Sequence, residues 1–236
     1  MFRTHSLVCC TASALTAIVG VALLIAGSVY IRDTSSLRSS WHEIYSLSIY
    51  SVVIGILALL FAICLFYVVS RKLPALTILF SIFILIVFVL AIINLIILAM
   101  GVGDLRDDSY KKTVDLFRNY SNSDSVVSSK VFFGQIQQSF QCCGVKEALD
   151  WKTQLSNGTN TPDTCCRIVV PNCGDNALIT RDKIYSRGCA EPVYFFLRKK
   201  FSALLIIDTI LTILLFISAV SGFICEQYIR EQYQVM

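Results

Sequence analysis

The most sharply patterned chemistry in this 236-residue chain belongs to its ten cysteines. Six fall in one stretch: Cys142, Cys143, Cys165, Cys166, Cys173 and Cys189. Adjacent cysteines rarely bond to each other, because the small ring they would close is strained. If oxidised, Cys142 and Cys143 must each reach a different distant partner, so Gln141-Cys142-Cys143-Gly144 is a point from which two bridges leave. An even set of this kind reads as a disulfide framework in an oxidising space, although spacing alone leaves every pairing open. There is no Cys-x-x-Cys, so a thioredoxin-like dithiol centre has no site. The two histidines, His5 and His42, fall on opposite sides of the topology derived below and cannot share a metal. No glycine-rich phosphate loop is present, and the carboxylates of the cysteine-bearing stretch are scattered. These residues point away from an enzyme, from a resident cofactor or metal, and from a nucleic-acid partner.

The elements that must position those cysteines are set by hydropathy. Hydrophobic residues make up 56% of the chain and charged residues only 15%, well below the roughly 25% charged of ordinary soluble domains. The apolar residues fall into four blocks, each long enough to cross a bilayer that needs about 20 helical residues. The expected organisation is an N-tail over residues 1–6, a first span over 7–30, a small outer loop over 31–46 and a second span over 47–69. A tight turn over 70–73 follows, then a third span over 74–100, a large outer loop over 101–200, a fourth span over 201–225 and a C-tail over 226–236. Spanning helices must satisfy their backbones internally, so recognition in water falls to the large loop. The net charge of +4 is divided between two sides of a membrane and says little about partners.

Positive residues do not orient the chain, since Arg3, Arg71, Lys72 and Arg230 on one side face Arg32, Arg38, Arg106, Arg198, Lys199 and Lys200 on the other. Two other patterns do. Both Asn-x-Ser/Thr sequons, at Asn119 and Asn157, lie in the large loop, where glycosylation requires the lumenal side. The four remaining cysteines, Cys9, Cys10, Cys64 and Cys225, lie at the face shared by the tails and the short turn. Oxidisable cysteines on one side and isolated thiols on the other describe a redox boundary. Both termini are therefore expected in the cytosol. Met1–Tyr30 also has the outline of a cleaved leader, with Ala26-Gly27-Ser28 resembling a cleavage site, but its apolar run exceeds the usual h-region.

Within the large loop, Tyr110, Val114, Phe117 and Tyr120 form a helical stripe that continues the third span. Phe132, Ile136 and Phe140, with Phe133 alongside, form a second stripe, and Gly144 is the expected C-cap beyond it. From Trp151 to Gly188 periodicity fades. About 45 residues without strong secondary-structure signals are too few for a large core, so disulfides are expected to hold them. Glu191–Lys200 is helical again and leads into the fourth span.

With Cys142-Cys143-Gly144, then Pro162-Asp163-Thr164-Cys165, then Gly188-Cys189 between the third and fourth spans, the whole chain resembles a tetraspanin. The spacing of its cysteines and the ending Tyr-Gln-Val-Met are most similar to the lysosome-associated branch. The second span departs from the pattern, reading Ala62-Ile63-Cys64 where the family often has Cys-Cys-Gly and an acid. The resemblance implies an all-α membrane protein: four transmembrane helices and a mostly helical, disulfide-stapled extracellular loop. It implies bridges Cys142–Cys189 and Cys143–Cys165, leaving Cys166 with Cys173, with Cys165 and Cys166 able to exchange roles. It further implies a scaffold that organises partner membrane proteins, other tetraspanins among them, and directs their traffic between plasma membrane and late endosome or lysosome.

Four further expectations concern sites. Asp208 and Asn94 sit at similar depth in the fourth and third spans, and a buried acid there needs a partner. A hydrogen bond between them is expected, as glue between helices or as the lining of a lipid or sterol cavity that the resemblance implies. Cys9, Cys10, Cys64 and Cys225 are candidate S-acylation sites, with inert packing as the alternative. Tyr233-Gln234-Val235-Met236 has the form of a tyrosine sorting signal, which a clathrin-adaptor-type protein would bind by adding it as a strand and burying Tyr233 and Met236. Ile168, Val169 and Val170 are candidate contacts for partner proteins, with packing onto Phe132 and Phe133 as the alternative. The small residues Ala14, Gly20, Gly27, Gly55 and Ala58 are expected on lateral faces that meet other membrane proteins. A four-span junctional or channel-type subunit is the other class to weigh, disfavoured because the first loop carries no cysteine.

Overall fold

The computed structural model describes residues 2–33, 42–120, 126–155 and 157–234, with backbone alone at a few helix ends, Tyr233 among them. Its long helices are α1 (Phe2–Asp33), α2 (His42–Ser70), α3 (Pro74–Arg118), α4 (Val126–Phe140) and α7 (Ala190–Gln234). Two single-turn helices, α5 (Trp151–Gln154) and α6 (Ala177–Thr180), and two 3₁₀ turns, Ala148–Asp150 and Asp163–Cys165, lie between α4 and α7. No strand occurs among the described residues; two isolated bridges, Glu147 with Arg187 and Cys166 with Ile184, take its place. The fold is all-α. The molecule divides into two compact units: one of α1, α2, α3 as far as Met100 and α7 from Phe201 onward, the other spanning Gly101–Lys200.

The first unit is four helices long and apolar enough to cross a membrane. Its inward residues recur at alternating steps of three and four. On α1 they are Cys9, Ser13, Thr16, Gly20, Leu23, Gly27 and Tyr30, and on α2 Ser48, Ser51, Gly55, Ala58, Ala62, Leu65 and Val69. On α7 the same step runs through Leu204, Asp208, Leu211, Leu215, Ser218, Gly222 and Cys225. A seven-residue repeat keeps one seam facing its neighbours, as in left-handed bundles. The remaining faces carry large apolar residues in the open, such as Ile18 at 65%, Ile63 at 52% and Ile213 at 55% exposed. Only about a third of each apolar window is buried. A surface of that kind is stable in lipid, where apolar exposure costs nothing.

Glycine lets the seams close. A Cβ on Gly20 would stand 3.3 Å from the Gly55 carbonyl oxygen, and one on Gly55 would stand 3.2 Å from that of Gly20. A Cβ on Gly27 would meet Val52 at 2.5 Å. The small residues expected on outward lateral faces are thus mostly spent inside the bundle. Gly20, Gly27, Gly55 and Ala58 are buried, and of that set Ala14 alone is exposed. The reason is physical: close backbone approach within the chain uses the same small side chains as association between chains.

The α2–α3 turn is a Schellman motif. Lys72 takes the left-handed conformation (φ 57°), the Leu73 amide reaches the Val68 carbonyl and the Lys72 amide that of Val69. Pro74 then opens α3, where its missing N–H costs nothing.

In the second unit a core of rings replaces regular layering. Trp151 is fully buried against Phe117 and Tyr120, with ring centroids 4.6 and 4.7 Å away, and against Phe133 at 5.9 Å. The inward face of α3 here is Leu105, Ser109, Thr113, Leu116 and Phe117, and Tyr120 in the turn just beyond it is buried with them. Tyr110, expected on that stripe, is 39% exposed, because inward positions step by threes and fours from Leu105 and pass it by. Helix α4 buries Phe132, Phe133 and Ile136.

The end of α4 corrects one expectation. Gly144 is not its C-cap. The helix stops at Phe140, Gln141 takes the left-handed conformation (φ 51°), and the Cys142 amide reaches back to the Gln137 carbonyl. Arg187 covers the last turn, donating from Nη2 to the Phe140 carbonyl (2.6 Å) and from Nε to that of Gln141 (3.1 Å). Gly144 instead forms the corner of the next turn at φ 72°, where a Cβ would lie 2.1 Å from the Glu147 carbonyl oxygen. Asp150 Oδ2 gathers the amides of Val145, Lys146 and Glu147 inside that turn.

Candidate functional site

Three disulfides frame the second unit: Cys142–Cys189, Cys143–Cys165 and Cys166–Cys173. The two cysteine pairs act as branch points. Cys142 ties the end of α4 to the residue preceding α7, and Cys143 ties it to the 3₁₀ turn Asp163–Cys165. Cys166 carries the chain on to a loop closed at Cys173. With closed loops of 47, 22 and 7 residues, chain-entropy reasoning assigns about 4, 3.4 and 2.4 kcal/mol to the three bridges.

Hydrogen bonds complete the frame. The Cys143 amide donates to the Arg187 carbonyl (2.8 Å), and the amides of Gly188, Cys189 and Ala190 donate to the carbonyls of Lys146, Gly144 and Val145. Asp163 holds the third loop by accepting from the Gly174 amide at Oδ1 (2.8 Å) and from the Asn172 amide at Oδ2 (3.1 Å). Gln137 donates to the Cys165 sulfur at 3.1 Å, and Gln138 donates to the Thr164 carbonyl.

What this frame presents is apolar. Ile168 is 77%, Val169 52% and Val170 49% exposed. Packing into the core would bury them, and they are not buried; Phe133 is enclosed by Phe117, Tyr120 and Trp151. The flanking backbone is fixed, with the Arg167 amide on the Lys183 carbonyl (2.9 Å) and the Cys173 amide on that of Val170 (3.1 Å). Three branched side chains are therefore held in water on an ordered loop, the arrangement a recognition surface requires. Ile179, 68% exposed, is a further apolar residue that periodicity does not single out, because α6 is a single turn.

A cleft of about 860 Å³ on the same unit is bordered by Tyr120, Gln135, Gln138, Asn157, Asn160 and Thr161, among others. Its residues come from four separated segments, around 120, 130–139, 155–164 and 172–175, so no sequence motif announces it. Burial, and then the negative charge of Asp163, push the Tyr120 phenol up to about 12. Both sequon asparagines, Asn119 and Asn157, are exposed.

In the first unit the structure brings Asn94 and Asp208 together. Asn94 Nδ2 donates to Asp208 Oδ2 at 2.7 Å and to Ser51 Oγ at 3.1 Å, which joins α2, α3 and α7 at one level. Asp208 is fully buried, and its other oxygen, Oδ1, has no hydrogen-bond partner among the described residues; the Ser48 hydroxyl is in the same condition. Of the four thiols, Cys9 and Cys225 are buried, whereas Cys10 and Cys64 are partly exposed. The Tyr233 side chain and Met236 lie outside the described residues, and with them the sorting signal.

The model of the tetraspanin family matches residues 6–227. The chain is 30% identical over 95 residues to the CD63 antigen of Bos taurus, an alignment covering 40% of this chain and 38% of that one. It is 40% identical over 58 residues to Tetraspanin-9 of Salmo salar, covering 25% and 23% of the two chains. Both alignments span less than half of the relative. A longer one, 25% identical over 177 residues, pairs 72% of this chain with 70% of Tetraspanin-36 of Danio rerio. Since the family model runs through all four apolar helices and the disulfide-framed unit alike, the chain belongs to the tetraspanin family and is a multi-pass membrane protein.

Proposed function

We propose that this non-enzymatic tetraspanin gathers partner membrane proteins in the plane of the bilayer and carries them between the plasma membrane and endosomes or lysosomes. Its termini are in the cytosol, and residues 101–200 are outside or in the lumen. The observation that supports this reading most directly is the exposed Ile168-Val169-Val170 loop, fixed by a disulfide on each flank and backed by no core of its own. Burying three such side chains in a partner is worth about 1.5–3 kcal/mol each at full burial, enough to decide which protein is retained. Family membership favours this reading over a four-span junctional or channel-type subunit. The test is co-purification in mild detergent with mass spectrometry. The triple variant Ile168→Ser, Val169→Ser, Val170→Ser should keep its three disulfides and lose the partners the unaltered chain retains. An unchanged partner list would refute the assignment.

Traffic is assigned to Tyr233 and Met236 through a clathrin-adaptor-type protein. Tyr233→Ala should shift the protein to the cell surface, and an unchanged distribution would refute the signal. S-acylation is assigned first to Cys10 and Cys64, which are partly exposed. At Cys9 and Cys225 it requires their buried seam to part.

A second reading concerns lipid. The unpartnered Asp208 Oδ1 and Ser48 hydroxyl favour a bound molecule that brings its own hydroxyl into the bundle, such as a sterol. A photoactivatable sterol should label the unaltered chain, and labelling that persists undiminished in Asp208→Leu would refute this.

A further inference from the structure

Cys9 and Cys225 occupy corresponding inward positions on α1 and α7. The register that brings them together is fixed independently, one heptad away. There the Thr16 and Ser218 hydroxyls share a hydrogen bond of 2.8 Å, and Thr16 Oγ1 also reaches the Leu214 carbonyl at 3.4 Å. Seven residues back along α1 from Thr16 is Cys9, and seven residues on along α7 from Ser218 is Cys225. In an antiparallel pair with a seven-residue repeat, those two positions must face each other. They do: the Cys9 and Cys225 side chains are neighbours, with Ser221 beside Cys9. Both residues are fully buried. Ser13, the inward residue one turn on, turns its hydroxyl back onto the Cys9 carbonyl (2.9 Å) and does not come between the sulfurs.

We propose that Cys9 and Cys225 form a reversible disulfide that staples the first span to the fourth at the end nearest the tails. The oxidant is a hydroperoxide. One thiol gives up its proton and attacks the peroxide oxygen as a thiolate, the O–O bond breaks, and the departing hydroxide takes that proton, leaving a sulfenic acid and water. The second sulfur then attacks the sulfenic sulfur, the S–O bond breaks, and the departing hydroxide takes the second thiol's proton. Two thiols and one hydrogen peroxide become one disulfide and two waters, with two electrons passing from sulfur to oxygen. A small dithiol reverses the change by exchange. On a reducing side of the membrane the resting form is the thiol pair, so the bridge reports an oxidant and does not stand permanently. Cys10, one residue along and partly exposed, points off the seam and takes no part.

The test uses the full-length chain in native membranes. After brief hydrogen peroxide treatment, free thiols are blocked in denaturant with light N-ethylmaleimide. The sample is then reduced and relabelled with the heavy reagent, and each cysteine is read by mass spectrometry. The light-labelled fraction of Cys9 and Cys225 should fall together by tenfold or more, with a Cys9–Cys225 linked peptide before reduction. Cys10 and Cys64 should gain no heavy label. In Cys9→Ser, Cys225 should stay light, and the reverse should hold in Cys225→Ser. Intact loop disulfides in each variant show that the chain has folded. The proposal is overturned if both sulfurs remain light after peroxide, if Cys225 links to Cys10, or if Cys225 is protected in Cys9→Ser.

Discussion

The two units of this molecule solve the same problem with opposite materials. The bundle orders four long helices by letting backbones touch, with buried polar contacts such as Thr16 with Ser218, and Asn94 with Ser51 and Asp208, set among apolar seams. The cysteine-framed unit has one long helix of its own, α4, and compensates with three covalent struts, a tryptophan-centred ring cluster and side-chain caps. The difference teaches what a solvent supplies. Lipid accepts the outer faces of the bundle as they are, so only the seams need specification. Water rewards burial, but a small irregular stretch has too little apolar surface to gain much from it.

Perturbations should rank by which material they remove. The largest loss should follow cutting the frame. Cys142→Ser with Cys189→Ser should cost the second unit about 4 kcal/mol, seen as protease sensitivity of the loop in otherwise membrane-inserted protein. Trp151→Ala should follow closely, near the lower end of the about 3–5 kcal/mol for an emptied aromatic core, measured as a lowered thermal midpoint with all three disulfides intact. Overpacking the bundle should cost less. Gly55→Leu forces α1 from α2 and should destabilise by about 1–3 kcal/mol, read by unfolding in detergent, with the loop disulfides untouched.

The smallest effect is a pH dependence. The folded Tyr120 phenol is raised from its ordinary 10.0 to about 12, so between those values the folded state holds the proton more tightly than the unfolded chain. Stability of the second unit should be constant below about pH 10 and decline as pH rises toward 12. Tyr120→Phe should abolish that decline in an alkaline melting series. A comparable loss in the variant would assign it to another group.

Much of this architecture was legible in the chain. Long uncharged runs announce spanning helices because a bilayer imposes a length, and alternating steps of three and four announce which face turns inward. The three bridges match what the tetraspanin resemblance implied, although the residues alone left their pairing open. Other features were hidden for physical reasons. Trp151 opens a single-turn helix, so no periodicity marks it as core; the signal was its size, since an indole in a loop-rich domain has few places to go but inward. Gly144 looked like a helix terminus because glycine favours the left-handed conformation, yet Gln141 accepts that conformation once Arg187 covers the carbonyls left open. The small residues of α1 and α2 read equally well as outward or inward, since composition does not say whether the neighbour is another chain or the next helix. The meeting of Cys9 with Cys225 was hidden because it depends on register across more than two hundred residues of intervening sequence.

The covalent and side-chain struts of the second unit described above end outside Ile168–Pro171, and within it the backbone is tied at the Val170 carbonyl, which accepts from the Cys173 amide. The brace at Cys166 and Cys173, the carboxylate of Asp163 and the amide of Arg167 stop at its borders. A change of side chain or an added residue between those borders would alter what the protein grips and leave how it stands untouched. The domain is built as a tool holder with a replaceable bit, so new specificity can be acquired there without solving the folding problem again.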